Sequence, residues 1–77
     1  MTANQDQLLK DIVAKTLGIA TVPANLSQKN CDKWDSVSQL NLIVAIEAAF
    51  GVEFAPEEIA TMRDLATLSA TLSQKLP

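Results

Sequence analysis

The chain has 77 residues, a formal net charge of −3, a single cysteine, and neither histidine nor tyrosine. That length predicts one domain over residues 1–77, close to the size at which a single core becomes marginal. It excludes a cleft between domains, and without histidine the commonest general acid–base group is missing. One cysteine, Cys31, excludes an internal disulfide and a multi-cysteine metal site.

The first predicted helix runs from about Asn4 to Leu17. Asn4 is suited to cap it, Asp6 sits in its first turn, and Leu8, Leu9, Ile12, Val13 and Leu17 form its inward stripe. Gly18 ends it, as a residue tolerant of the left-handed conformation would. Residues 19–35 hold Pro23, Asn25, Ser27, Asn30 and Asp32, with Ile19, Val22 and Leu26 spaced to reach back to a core. Seventeen residues are long for a structureless connection, so an ordered loop with a short helical turn is expected.

The second predicted helix runs from Ser36 to about Phe50, behind Asp35, with Gly51 as its stop. At about 100° per residue, Leu42, Ile43, Ile46, Ala49 and Phe50 share one side. Val37, Leu40, Val44 and Ala48 form a second apolar stripe on nearly the opposite side. Two readings account for that stripe: a central helix buried all round, or a docking surface beside something attached to Ser36. Ser36 bears on the second reading because unpaired N–H groups and the helix dipole favour negative charge at a helix start, so a phosphate is well placed there.

Pro56 followed by Glu57 and Glu58 predicts a short third helix ending near Thr61 or Met62. Asp64 is suited to cap a last helix from Leu65 to about Lys75, with Leu65, Leu68 and Leu72 inward. No strand pattern or internal repeat is present. The fold class is therefore all-α, a small four-helix bundle with a long ordered loop between the first two helices and a short third helix.

Charge is unevenly placed. From Asp35 to Asp64 there are six acids (Asp35, Glu47, Glu53, Glu57, Glu58 and Asp64) against one base, Arg63. Nucleic acid is not an expected partner, since it needs a basic face. These acids are either solvated positions or a surface for a basic protein partner. The first residues lack a signal-peptide pattern and no apolar run could span a bilayer, so a soluble, cytoplasmic protein without membrane association is expected.

Asp35-Ser36-Val37, the apolar run Leu40, Leu42-Ile43-Val44-Ala45-Ile46-Glu47, and the stop Phe50-Gly51-Val52-Glu53-Phe54 resemble the acyl carrier proteins, a family that includes peptidyl carrier domains. The likeness continues through Pro56-Glu57-Glu58-Ile59 and Met62-Arg63-Asp64-Leu65. The resemblance implies a non-catalytic phosphoprotein carrying 4′-phosphopantetheine, covalently attached to Ser36 from coenzyme A. A phosphopantetheinyl transferase would install the arm and hold the Mg²⁺, so neither a catalytic residue nor a metal ligand is assigned to this chain. Asp35 would cap the helix and orient Ser36. The arm would hold acyl, aminoacyl or hydroxyacyl units as thioesters and pass them between enzymes of a biosynthetic pathway.

Those partners would be an acyl or aminoacyl ligase or transferase and downstream enzymes, met by a monomeric carrier through Val37, Leu40, Val44 and Glu47. Two departures point to a discrete carrier of a specialised pathway. Glu47 is the only charge between Ser36 and Phe50, where housekeeping fatty-acid carriers have several acids, and Trp34 precedes the Asp-Ser pair. Trp34 either packs across the junction of the first two helices or shapes partner contacts. Cys31 is expected to be an ordinary surface or half-buried thiol. The competing function is an unmodified helical interaction module using the apolar stripe. An enzyme is disfavoured for want of a general base, a nucleophile pair or a metal constellation.

Overall fold

The computed structural model describes residues 2–76, which form helices α1 (Ala3–Leu17), α2 (Ser36–Phe50), α3 (Pro56–Thr61) and α4 (Leu65–Lys75) with no strand among them. The helices end where local chemistry stops them. Gly18 and Gly51 take left-handed backbone (φ 68° and 67°), and their N–H groups close the last turns on Ala14 and Glu47. No neighbouring atom lies close to where a Cβ would stand at either glycine, so the dihedral alone demands the residue. Asp35 and Asp64 cap α2 and α4 by accepting from the N–H groups of Ser38 and Thr67.

Asn4 does not cap α1. Thr2 does, in a reciprocal box in which its hydroxyl accepts from Gln5 N–H while the Gln5 side chain accepts from Thr2 N–H. Nor is Leu8 on the inward face: it is 40% exposed, whereas Leu9, Val13 and Leu17 are buried and Ile12 packs at the edge. On α2, Leu42, Ile43 and Ile46 are buried, Phe50 is half-buried, and Ala49, expected on the same side, is exposed. The core is completed by Leu26, Trp34, Phe54, Met62, Leu65, Leu68 and Leu72.

The long connection contains no helix. Single turns close at Leu26, Asn30 and Trp34, whose N–H groups donate to the carbonyls of Pro23, Ser27 and Cys31. Its order comes instead from an isolated antiparallel bridge, Ser27 to Asp64. Gln28 N–H donates to Arg63 O at 2.9 Å and Leu65 N–H to Leu26 O at 2.8 Å. Two backbone bonds thus pin the loop to the α3–α4 junction, which a helical turn at that place would not have offered. Asn30 ties the loop to itself, with its Oδ1 accepting from Ser27 N–H and its Nδ2 donating to Asn25 O.

These burials set a stability contrast on α2. Ile46 is fully buried, so Ile46→Ala is expected to cost roughly 2–5 kcal/mol. Val44 is 64% exposed, so Val44→Ala should stay within about 0.5 kcal/mol. Phe50, only half-buried, should fall between them. Thermal unfolding of the three variants checks the order. An equal loss at positions 44 and 46 would mean that α2 is covered on both sides.

Candidate functional site

Ser36 is the first residue of α2 and is exposed. Asp35 immediately before it is held in extended backbone, and its Oδ1 accepts from Ser38 N–H at 2.8 Å. That bond, followed by one from the Ser38 hydroxyl, holds the Asp35 carboxyl below its ordinary range. The cap fixes where the helix starts, and therefore where the Ser36 hydroxyl stands. Glu58 and Asp64 are lowered for related reasons: the Ala55 N–H and then Lys75 act on Glu58, and the Thr67 N–H acts on Asp64.

All three capping carboxyls favour the ionised form in the folded state. Their contribution is complete above the unfolded-state values and is lost as the pH falls through the depressed folded ones. Acid unfolding is therefore expected to set in below about pH 4. Asp35→Asn, which can still cap but does not titrate, should flatten the pH dependence of the thermal midpoint. An unchanged pH profile in that variant would remove Asp35 from this account.

Below Ser36 the α2 surface carries Val37, Leu40 and Val44, which are 68%, 60% and 64% exposed. Ala48 extends the stripe and is exposed as well. The alternative of an α2 buried all round is thereby excluded. Successive positions along this face bring Ser36 and the apolar stripe onto one side of the molecule.

Glu47 lies at the edge of that face. It is half-buried, and its Oε2 accepts from Phe54 N–H at 2.8 Å, tying α2 to the segment before α3. Glu58 Oε1 accepts from Ala55 N–H at 2.9 Å and lies 2.9 Å from Lys75 Nζ. Lys75 in turn sits over the Phe54 ring, 5.6 Å from its centroid. Of the six acids between Asp35 and Asp64, four are thus occupied in holding backbone, which leaves Glu53 and Glu57 as the exposed, unengaged pair among the described residues.

Trp34 is 2% exposed, so it belongs to the core and offers no surface to a partner. Its indole Nε1–H donates to Gln39 Oε1 at 2.6 Å. Gln39 is the buried polar residue of the described core at 7% exposure. Its Nε2 donates to Met62 O at 2.9 Å and to Ile59 O at 3.2 Å. One amide therefore ties the residue before the Asp35-Ser36 pair to the end of α3. The only sequence signal for it was a tryptophan five residues ahead of a glutamine.

Cys31 is half-buried against the core, as expected of an ordinary thiol. No group of His, Cys, Asp or Glu among the described residues could hold a metal ion. No helix among them is long and apolar enough to cross a membrane.

A family model described as "Phosphopantetheine attachment site" matches residues 7–72. Among solved structures, the solution structure of a holo acyl carrier protein from Geobacter metallireducens is similar to 96% of this chain and 86% of its own, with a TM-score of 0.81 at 25% sequence identity. No curated protein sequence matches the chain.

Proposed function

From the premise that the chain belongs to the phosphopantetheine-attachment family and carries 4′-phosphopantetheine as its covalent group, we propose that residues 1–77 form a single carrier domain with Ser36 as the attachment residue. The reading rests on one observation: Ser36 is an exposed hydroxyl at the first position of α2, directly behind the capping Asp35. The site fits the group. An anion on Ser36 Oγ would sit at the positive end of a helix of 15 residues, where N–H groups and the dipole favour it. When bound, 4′-phosphopantetheine supplies a terminal thiol on a flexible arm, which holds acyl units as thioesters.

The chain's own residues do the positioning. Asp35 sets the start of α2 and so the orientation of Ser36, while Gln39 anchors the preceding Trp34 to the core. No histidine is present to take the serine proton, so a phosphopantetheinyl transferase provides the base. Val37, Leu40 and Val44 offer that enzyme, and later an acyl or aminoacyl ligase or transferase, an apolar strip next to Ser36. Glu47 contributes its charge at the edge of that face while remaining bound to Phe54 N–H. The carrier acts as a monomer in the cytoplasm, handing intermediates to the downstream enzymes of a specialised pathway.

Intact mass after incubation with coenzyme A and a broad-specificity transferase tests this reading. A gain of one phosphopantetheine is expected. No gain would leave the unmodified interaction module as the account of the exposed stripe.

Charge on α2 sets a further expectation. Exposed ion pairs contribute only about 0–1 kcal/mol each, but losing several together changes encounter rates and partner choice. With Glu47 the only charge on α2, the holo form should be loaded slowly by a housekeeping malonyl transferase and efficiently by a dedicated ligase. Loading rates compared with a fatty-acid carrier, at low and high salt, check this. Equal rates with equal salt sensitivity would remove the specialised-pathway reading and leave the carrier reading intact.

A further inference from the structure

Ser36 borders a cleft of about 300 Å³ whose wall it shares with Leu40, Ile59, Ala60, Gln28 and Arg63. Arg63 is the single base between Asp35 and Asp64, and the fold holds it in place at three points. Its N–H donates to Thr61 O at 3.0 Å, and its carbonyl accepts from Gln28 N–H at 2.9 Å. Its Nε donates to Ala60 O at 3.1 Å, which fixes the side-chain stem and leaves the other guanidinium donors to face outward. Arg63 is exposed and makes no ion pair among the described residues. Asp64, next to it in sequence, is engaged as the cap of α4, with its Oδ1 accepting from Thr67 N–H at 2.6 Å. Lys29 meets Arg63 only on a second cleft, of about 290 Å³, which Ser36 does not border.

Ser36 is thus set between opposite charges. Asp35, directly before it, is an ionised cap of α2, and Arg63 stands on the wall of the same cleft. A phosphodiester on Ser36 Oγ carries one negative charge, so the carboxylate repels it and the guanidinium attracts it. Exposed ion pairs are weak where two mobile side chains must be ordered to meet. Here the guanidinium stem is already fixed, and the phosphodiester is tethered covalently on the same cleft, so the encounter is intramolecular. The planar fork of a guanidinium also matches two phosphate oxygens at once.

We propose that Arg63 binds the phosphodiester of the arm carried on Ser36, and so sets the direction in which the arm leaves α2, towards Arg63 and away from Asp35. The proposal rests on Ser36 as the attachment residue. It does not depend on what the thiol carries, because the contact is made at the first group of the arm.

The test converts the full chain to the holo form with coenzyme A and a broad-specificity transferase, with the gain checked by intact mass. The ³¹P resonance of the phosphodiester and the ¹H–¹⁵N signal of Arg63 Nε–H are then recorded. The Arg63 Nε–H is expected to shift between the unmodified and holo forms. Arg63→Gln should displace the ³¹P resonance, and Arg63→Lys should displace it less. Lys15→Gln removes the same charge from an exposed position on α1 that borders neither cleft, and should leave the resonance in place. An Arg63 signal that is the same before and after modification would overturn the proposal. So would equal ³¹P displacements from Arg63→Gln and Lys15→Gln, since the phosphodiester would then sense only net charge. Absence of any mass gain would instead remove the Ser36 assignment, and this contact with it.

Discussion

Ser36→Ala is expected to abolish all mass gain with coenzyme A and transferase while leaving the helical content and the thermal midpoint nearly unchanged. The side chain is exposed, and the cap of α2 is made by Asp35, so the fold loses no partner with the hydroxyl. The chemical effect is total because no other serine stands at the head of a helix behind a capping acid. Ser27 lies in the bridged loop, and Ser38, Ser69 and Ser73 lie within helices. Retained labelling in the alanine variant would refute the assignment outright, and peptide mapping would show which hydroxyl took its place.

The second large effect belongs to Gln39. Gln39→Ala removes the acceptor of the Trp34 indole and the side-chain donor to Met62 O, both inside the core. Leaving a buried donor or acceptor unpaired costs about 1–3 kcal/mol each, a large share of the stability of a chain this short. Ile59 O is less affected, since it also accepts from Met62 N–H. Asn41→Ala, two residues on and exposed, should change stability by no more than about 0.5 kcal/mol. Denaturant unfolding followed by the fluorescence of Trp34, the single tryptophan, measures both. A Gln39 variant as stable as the Asn41 variant would show that water replaces the amide without loss. The same experiment reports on function, because loosening Trp34 loosens the residue next to the Asp35-Ser36 pair and should slow modification of a protein that is still folded.

What could be read from the amino-acid order alone was whatever depends on neighbours within one helical turn. Asp35 and Asp64 as caps and Gly18 and Gly51 as stops follow from side-chain oxygens and backbone dihedrals acting over three or four residues. The bounds of α2 and α4 and the placing of Val37, Leu40 and Val44 opposite the core stripe follow from the same local rules and from helical period, whereas the exposure of that stripe was decided by the packing. The Thr2–Gln5 box was equally local; Asn4 competed with Thr2 for the same role, and the reciprocal bond decided it.

Tertiary structure alone decided which of several similar residues was used. Gln39 is buried while Asn41 is exposed, because only position 39 faces the carbonyls at the end of α3, more than twenty residues away. Trp34 entered the core because Gln39 supplied an acceptor for its N–H. Glu47 became a tie to Phe54 rather than a free charge, and Arg63 stands at the end of the cleft beside Ser36 because the loop at Ser27 pairs with Asp64. Each of these outcomes needed a partner remote in the chain, and residue type and period carry no record of where a remote carbonyl will lie once the helices have packed.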